Sequence, residues 1–427
     1  MSTTKPFLGW LVIVGMLMGF SPLWADNWPR FRGPNGTGIA ADPNIPLRWS
    51  EGNGLLWKVA IPGIGHSSPV VWENNVFLQT AAEDGSSRTL LCLNASDGQL
   101  RWSRSVPAQK AHTHVKSSLA SSTPATDGRR VCTMIWDGQR ISLHMFDMDG
   151  NPLWKRDLGI WSSQHGAGAS PILYADKVIL NNDMDKDHNN VPGRTVLVAL
   201  DANTGKPVWE VERLTHRACY STPFILERPD APPQLIVAST QGISGYDPHT
   251  GTEQWRWNWK FDGMKLRTVA SPIAGGDLIF ATSGDGGGAR HAVAVRIGGR
   301  GDVTASHLAW ENKRLLPYVP GMLYWNDHLY FVNDRGLAAC VVAKTGEVVW
   351  SERMAGSFTA SPVLIDGKVY APADDGTVCV FKASPQFELL AKNPLGESVT
   401  ASPAVANGRL FIRGSKHLFC IGHRSTR

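Results

Sequence analysis

The amino-acid sequence predicts an all-β fold: a single eight-bladed β-propeller whose four-stranded antiparallel blades form a ring closed by an N-terminal strand. Three observations lead to this prediction. A strand–turn–strand pattern ending in tryptophan recurs along the chain, a small residue followed by proline opens each unit, and these openings are 41 to 55 residues apart. A repeat of that length is typical of propeller blades, which stack and bury one another's faces.

The clearest repeat unit runs from Val196 to Trp209 and reads VLVALDANTGKPVW. Apolar residues form a first strand, the chain turns at 201–205, and a second strand carries the tryptophan. Gly205 can take the positive φ that the turn needs, and the Asp201 side chain can bond the turn backbone. We expect the tryptophan of each unit to dock between blades, and the seven that fit the pattern are Trp57, Trp102, Trp154, Trp209, Trp255, Trp310 and Trp350.

The opening signature places a small residue directly before a proline. It occurs at Pro69, Pro124, Pro171, Pro223, Pro272, Pro362 and Pro403, with a degenerate form at Pro320. In the seventh unit Leu389 and Leu390 replace the tryptophan, and the last unit ends after its third strand near Ile421. The strand over residues 55–59 has no partner before it. We therefore expect it to complete the last blade, which closes the ring and removes an exposed sheet edge.

The N-terminal residues 1–25 have the order of a secretory signal: a lysine, an apolar run and a small residue at Ala25. The alternative is an uncleaved N-terminal membrane anchor. Residues 26–54 are rich in turn formers and are interpreted as an extended arm on the domain surface, anchored by Trp28 and Phe31. The propeller then spans 55–423, and 424–427 form a tail. This organisation predicts an exported protein, periplasmic or at the cell surface.

The six cysteines are expected to be buried free thiols. Counting from the turns, Cys92, Cys340, Cys379 and Cys420 occupy the place of Ala199 in four different units. Equivalent places in separate blades lie beyond the roughly 7 Å between Cα atoms that a disulfide can span. The chain has no C-x-x-C motif, so neither thiol redox chemistry nor a zinc site is indicated.

The formal net charge of +5 is small for 427 residues, and the basic residues form no run, which argues against nucleic-acid binding. The glycine-rich stretch 283–288 has no strand–turn–helix context, so it is interpreted as a loop and not as a phosphate cradle. Aspartates alternate at Asp183, Asp185 and Asp187, as in calcium loops. His188 and Arg194 stand where an EF-hand needs glycine and glutamate, which leaves a calcium-stabilised loop or a solvated blade-tip loop.

The repeats resemble the pyrroloquinoline-quinone-type repeat, whose core A-x-D-x-x-T-G-x-x-x-W is matched best by residues 199–209. The resemblance covers nearly all of the chain after residue 54. It implies an eight-bladed propeller, as in quinoprotein alcohol dehydrogenases and in the non-catalytic propeller component of the outer-membrane barrel-assembly machinery. The stretches WPRFRGPNGTG and HVKSSLASSTPATDG also resemble secreted bacterial repeat proteins of undefined role.

Quinoprotein dehydrogenases hold quinone and calcium under a vicinal disulfide, and the resemblance would imply the same here. This chain has no adjacent cysteine pair, is shorter than those enzymes and offers no assignable calcium set, so pyrroloquinoline quinone and calcium are unsupported. We expect a non-catalytic, monomeric binding or assembly scaffold of the cell envelope, whose partner is an envelope protein or a small polar ligand. The lipid-attachment cysteine of the barrel-assembly propeller is missing. The alternatives are a dehydrogenase-like enzyme, a hydrolase or sugar-active enzyme, or a propeller that binds a carbohydrate or other small ligand.

Residues just before each opening proline are expected to crowd one mouth of the central channel, because the innermost strands begin around the axis. Together they form a candidate binding surface of hydrogen-bonding and basic groups: His66, His114, Lys116, His165, Tyr220, Arg267 and Tyr318. Such groups suit an anionic or polyhydroxylated ligand, or a loop of a partner. The imidazoles would make recognition change between about pH 5 and 8.

Overall fold

A computed structural model describes residues 27–42, 44–185, 195–263, 265–354 and 356–424. The proposed signal segment, Asp187 and the last tail residues lie outside these ranges. The chain forms eight antiparallel sheets in a ring, which confirms the predicted all-β, eight-bladed propeller. The helical structure in the described ranges is the 3-10 turn η1 (Pro34–Gly36). No helix there is long and apolar enough to cross a membrane.

Each blade has four strands ordered from the channel outward, and the outermost strand of the last blade is β2 near the N-terminus. The strands before the first blade are β1 (Ile39–Ala40) and β2 (Leu55–Ala60). Blades 1 to 4 contain β3 (Val70–Trp72), β4 (Asn75–Ala81), β5 (Ser87–Asn94), β6 (Leu100–Pro107), β7 (Ala125–Thr126), β8 (Arg130–Trp136), β9 (Arg140–Asp147), β10 (Pro152–Ile160), β11 (Ile172–Tyr174), β12 (Lys177–Asn182), β13 (Val196–Asp201), β14 (Pro207–Glu212), β15 (Phe224–Arg228), β16 (Ala231–Ala238), β17 (Gly242–Tyr246) and β18 (Glu253–Asn258).

The remaining four blades repeat the same antiparallel order. Their strands are β19 (Ile273–Gly275), β20 (Leu278–Gly284), β21 (Arg290–Arg296), β23 (Leu308–Asn312), β24 (Leu323–Trp325), β25 (His328–Val332), β26 (Leu337–Val342), β27 (Val348–Arg353), β28 (Val363–Ile365), β29 (Lys368–Pro372), β30 (Thr377–Lys382), β31 (Leu389–Pro394), β32 (Ala404–Ala406), β33 (Arg409–Arg413) and β34 (His417–Gly422). A short extra strand, β22 (Gly301–Asp302), pairs in parallel with β18 at the outer edge of blade 4.

The ring closes as predicted, with strands from both ends of the chain in one blade. Strand β2 pairs antiparallel with β34, and Trp57 lies opposite Cys420. The sheet order β2-β34-β33-β32 gives blade 8 the same four strands as its neighbours. The unpaired edge that β34 would otherwise expose is thereby covered.

Six of the seven repeat tryptophans reach into the following blade. Each indole Nε1 donates a hydrogen bond of 2.8–3.2 Å to a backbone carbonyl of that blade's outer turn; the donors are Trp57, Trp102, Trp154, Trp209, Trp310 and Trp350. The indole ring of Trp154 also covers the glycine of that turn, Gly205. A Cβ on Gly205 would lie 2.7 Å from the Trp154 ring, and its φ is +67°, so both contact and conformation demand glycine there.

Two blades depart from this docking rule. Trp255 is fully buried, but its Nε1 donates to Gln234 Oε1 of its own blade at 3.3 Å. In blade 7, Ala391 takes the tryptophan's place opposite Val380, because the preceding turn is one residue longer than in the reference repeat. Trp49 of the N-terminal arm is buried in the cluster that joins blades 7, 8 and 1 and contains Ala391. The arm thus supplies a tryptophan where the seventh blade lacks one.

All six cysteines are free and buried. Cys92, Cys340 and Cys420 each lie opposite a docking tryptophan, as expected from their spacing. The expectation for Cys379 was wrong: it lies opposite Lys392, one residue before the equivalent place, because of the same longer turn. Burial raises the pKa of the Cys92 thiol to about 12, which keeps it protonated at neutral pH.

We expect all six thiols to resist alkylation in the native protein and to react together when it is denatured, because the thiolate is the reactive form and access is blocked. Mass spectrometry after iodoacetamide treatment, with and without about 6 M guanidinium chloride, measures this directly. A disulfide-linked peptide pair in the purified protein, or rapid native labelling, would contradict the expectation.

The N-terminal arm does not lie on the domain surface, as the sequence suggested, but crosses the central channel. Trp28 pairs with Val71 of blade 1 through two backbone hydrogen bonds of 2.8 and 2.9 Å. Thr126 of blade 2 donates to the Pro29 carbonyl. Strand β1 then adds in parallel to β28, the innermost strand of blade 7. The arm therefore spans the inside of the ring and closes it at the level of these strands.

Two arginines of the arm hold it to the blades on the far side of the channel. The Arg30 guanidinium donates to the Pro223 carbonyl of blade 4, and the Arg32 guanidinium donates to the Met322 carbonyl of blade 6. Trp28 and Arg32 are each 1% exposed. Phe31, between the two arginines, remains half-buried and faces the cavity described next.

Candidate functional site

A cavity of about 470 Å³ occupies the channel above the arm and takes lining residues from all eight blades. Each innermost strand begins on this side of the ring, and each second strand ends there. The segments before the opening prolines and the loops after the second strands therefore meet around one space. Phe31 of the arm contributes to the lining from below. All eight blades and the arm therefore contribute to the wall of one pocket.

Five serines directly preceding opening prolines line this cavity, and we call them the serine belt: Ser68, Ser170, Ser271, Ser361 and Ser402. Each is 2–5% exposed, and each Oγ accepts a hydrogen bond of 2.9–3.1 Å from a backbone amide of the adjacent blade. The opening signature thus has a physical cause: a short hydroxyl residue is needed where neighbouring blades bond near the axis.

Six of the seven residues predicted at the mouth line the cavity: His66, His114, Lys116, His165, Tyr220 and Tyr318. The His114 and His165 rings lie 4.8 Å apart, and the His165 and Tyr220 rings 6.4 Å apart. The Tyr220 hydroxyl hydrogen-bonds the Ser163 hydroxyl. These side chains form a hydrogen-bonding aromatic wall contributed by blades 2 to 4.

Lys116 lies on the long segment between β6 and β7 and reaches across to blade 7. Its Nζ donates a long hydrogen bond of 3.4 Å to the Phe358 carbonyl. The neighbouring Val115 is 87% exposed. This segment therefore covers part of the mouth while leaving an ammonium group on the cavity wall.

Arg267 is the exception among the predicted mouth residues, because it is buried beside the cavity and does not line it. It is 2% exposed and forms two hydrogen bonds of 2.9 and 3.0 Å with the carboxylate of Asp185. Its Nη2 also donates to Gln164 Oε1. Sequence position alone placed this guanidinium at the mouth, but burial beside a carboxylate makes it a structural cation.

The aspartates proposed as calcium ligands are likewise neutralised by arginines. Asp183 is buried against the Arg213 guanidinium, and Asp185 bonds Arg267. Burial raises the pKa of Asp183, whereas the bonds from Arg267 help hold the pKa of Asp185 below its usual value despite burial. The described ranges contain no group of three His, Cys, Asp or Glu side chains that could hold a metal ion. The calcium hypothesis therefore loses two of its three ligands, and Asp187 lies outside the described residues.

Two of the cavity imidazoles titrate well below the pH range expected from the sequence. Burial, followed by the charge of Arg413, lowers the pKa of His66 to about 4. Burial, with the charges of Arg267 and His114, lowers the pKa of His165 to about 4. Both rings are neutral between pH 5 and 8, so they do not supply the pH-dependent recognition we anticipated there.

The low pKa values of His66 and His165 predict an acid-dependent loss of stability. Between about pH 6.5 and 4 the unfolded chain binds more protons than the folded one, so the free energy of unfolding falls as the pH falls through that window and is level above it for these groups. Urea unfolding at a series of pH values should show a shallower dependence in His66→Gln and His165→Gln. The exposed His112→Gln is the control, and an unchanged slope in the first two variants would contradict the prediction.

Four charged cavity residues were not recognised from the sequence: Asp285, Arg290, Asp334 and Arg335. Asp285, Asp334 and Arg335 lie in the loops after the second strands of blades 5 and 6, which open on the same side as the proline segments, and Arg290 begins the third strand of blade 5. Arg290 lies 3.6 Å from Asp334 and stacks over the Tyr318 ring at 5.1 Å. The Asp334 carboxylate also accepts hydrogen bonds from the backbone amides of Tyr318 and Val319. The sequence offered no common signal for them, because Asp285 directly follows its strand whereas Asp334 comes two residues after Val332.

Comparison with known proteins places the chain among repeat propellers. The family model described as outer membrane protein assembly factor BamB matches residues 48–141, 139–306 and 304–417. No curated protein matches the chain. Among solved structures, BamB from Moraxella catarrhalis is 15% identical with a TM-score of 0.62, covering 87% of this chain and 98% of that chain.

Two other solved structures share the fold. Quinohemoprotein alcohol dehydrogenase from Comamonas testosteroni is 13% identical with a TM-score of 0.64, covering 94% of this chain and 82% of that chain. The computationally designed Ika8 protein is 14% identical with a TM-score of 0.58, covering 87% of this chain and 100% of that chain. Identities of this size show a common fold alone.

The cavity residues do not fit the calcium–quinone centre that the dehydrogenase resemblance would imply. A calcium ion needs six to eight oxygen ligands, several of them carboxylates. Asp334 is already bonded to two backbone amides and paired with Arg290. The buried thiol nearest in sequence to the lining residue Tyr220, Cys219, is bonded to the Ala238 carbonyl and has no cysteine beside it. We therefore assign no step to such a group.

Proposed function

The chain belongs to the family described as outer membrane protein assembly factor BamB, and we propose that it is a non-catalytic propeller of the cell envelope that binds a protein partner through its central cavity. At the level of the family this is a propeller of the scaffold or assembly type. We further propose that the partner binds in the cavity, that the protein is exported and that it catalyses no reaction.

The observation that carries the proposal is the cavity lined by all eight blades. It combines hydroxyl, imidazole, phenol and charged groups from eight blades, an arrangement suited to recognising a short polar segment by hydrogen bonds. The serine Oγ atoms accept the amide hydrogen bonds that hold neighbouring blades together, and the carboxylate–arginine pair Asp334 with Arg290 is itself tied to the backbone. Groups held in this way serve recognition better than proton transfer, which needs a base poised against a reacting atom.

Site-specific photo-crosslinking in the exporting cell tests the proposal. A benzoylphenylalanine at Thr400, which lines the cavity, should form an adduct with one envelope protein. The same probe at the exposed Lys344, in an outer turn, is the matched control and should not form that adduct. The adduct should also disappear when Thr359→Trp fills the cavity, with circular dichroism confirming the fold. No cavity-dependent adduct would refute the proposed function, and turnover of a substrate by the purified protein would refute the non-catalytic part.

A further inference from the structure

Several hydrogen-bond donors and positive charges of the cavity have no acceptor or carboxylate partner among the described residues. Each serine-belt Oγ accepts an amide hydrogen bond. None of these five hydroxyls donates a hydrogen bond to an acceptor among the described residues. A hydroxyl carries one donor beside its acceptor capacity. Five nearly buried O–H groups around one space therefore remain available to a ligand that accepts hydrogen bonds.

Two cations on the cavity wall lack a carboxylate partner in the part of the chain that the structure describes. Lys116 has only the long bond to the Phe358 carbonyl. Arg335 is exposed at the mouth, and its guanidinium forms no hydrogen bond or ion pair there. The two groups converge on one segment, because the amide of Phe358 bonds the carbonyl of Asp334, the residue before Arg335.

Three further guanidinium groups lie buried around the channel with backbone carbonyls as their hydrogen-bond partners: Arg30, Arg32 and Arg413. None forms an ion pair with a described carboxylate. Burial lowers the pKa of Arg30 and Arg413 to about 9 and that of Arg32 to about 10, so all three stay charged at neutral pH. Charges in a medium of low dielectric act over longer distances than in water. They therefore make the potential in the cavity more positive.

We infer that the cavity binds a carboxylate-bearing peptide segment, with Lys116 and Arg335 contacting the carboxylate and serine-belt hydroxyls donating to its oxygens. A carboxylate accepts hydrogen bonds only and carries the charge that the cavity lacks. This inference rests on the proposed function, since it names the chemistry of the partner segment. Asp285 at the mouth and Asp374, which accepts a hydrogen bond from the lining Ser357, are two carboxylates against five cations that have no carboxylate partner among the described residues, and Asp334 is already paired with Arg290.

Two synthetic peptides test the charge preference in the full purified protein. The probes are acetyl-Gly-Ser-Asp-Tyr-Asp-Ser-Gly-amide and the same peptide with both Asp replaced by Asn, each carrying a fluorophore for anisotropy. We expect the Asp peptide to bind at least about 10-fold more tightly than the Asn peptide, and the difference to shrink as salt is raised from about 0.05 to 0.5 M. Equal binding of the two peptides, or binding of neither, would overturn the inference.

Two double variants distinguish an effect of the cavity cations on binding from an effect of the protein's net charge. Lys116→Gln with Arg335→Gln should remove the preference for the Asp peptide, because both direct carboxylate contacts are lost. Lys344→Gln with Arg300→Gln removes the same charge from exposed positions outside the cavity and should retain the preference. Circular dichroism checks the fold of both. A preference that survives in the first variant would place the carboxylate elsewhere. The proposed function itself fails only if the cavity crosslinks no partner, so the two outcomes are distinguishable.

Discussion

Deleting residues 27–60 from the purified protein is expected to abolish its cooperative unfolding transition. The deletion removes β2, so β34 becomes an open edge and Trp57 no longer packs against blade 1. It also removes the arm segment that bonds blades 1, 2, 4, 6 and 7 across the channel. Loss of one buried tryptophan costs about 3–5 kcal/mol, and the lost strand and arm add to this. That sum is comparable to the whole stability of a typical domain.

A shorter deletion separates ring closure from the arm. Removing residues 27–38 alone keeps β2 and Trp49 in place while releasing Trp28, Arg30 and Arg32. We expect a folded ring with a lower melting temperature and an enlarged channel. Both variants are measured by circular dichroism melting against the intact protein. An unchanged transition in the 27–60 deletion would show that the ring does not depend on strand closure.

Replacing Trp209 with alanine is expected to lower the free energy of unfolding by about 3–5 kcal/mol. The indole is 9% exposed and packs in the cluster that joins blades 3 and 4. It covers the turn at Gly251, where an added Cβ would lie 2.7 Å from the ring, and its Nε1 donates to the Pro248 carbonyl at 3.2 Å. The substitution therefore opens a cavity between two blades and removes a hydrogen bond that joins them.

The neighbouring residue provides the control for this substitution. Val208 is 45% exposed on the same strand, so Val208→Ala should change the free energy of unfolding by less than about 0.5 kcal/mol. Urea unfolding at one temperature compares both variants with the parent. A loss below about 1 kcal/mol in Trp209→Ala would mean that the blades adjust to fill the space.

The repeat architecture could be predicted from the sequence because its determinants are local and recur. Turn glycines, tryptophans at a fixed spacing and small residues before proline each mark the same place in successive blades. Counting these repeats showed that the last blade lacked one strand and that the strand near Leu55 had no preceding partner. Periodicity fails where a turn changes length, as before Ala391, and there the place of Cys379 was predicted one residue off.

The candidate site was predictable in part, for the same reason. Residues before the opening prolines face one space because every blade begins on the same side, and six of the seven predicted residues line it. Asp285 and Asp334 were missed because the loops after the second strands vary in length and composition, so no common spacing marks them.

Blade number, ring closure and the side of the ring on which polar residues collect follow from the sequence, because their patterns recur within each unit. The pairing of charges depends on the packing of blades, since Arg267 and Asp185 lie 82 residues apart and meet between blades. The same packing also decides the route of the arm and the low pKa values of His66 and His165. Burial and long-range pairing depend on neighbours from other blades, and no local spacing encodes them.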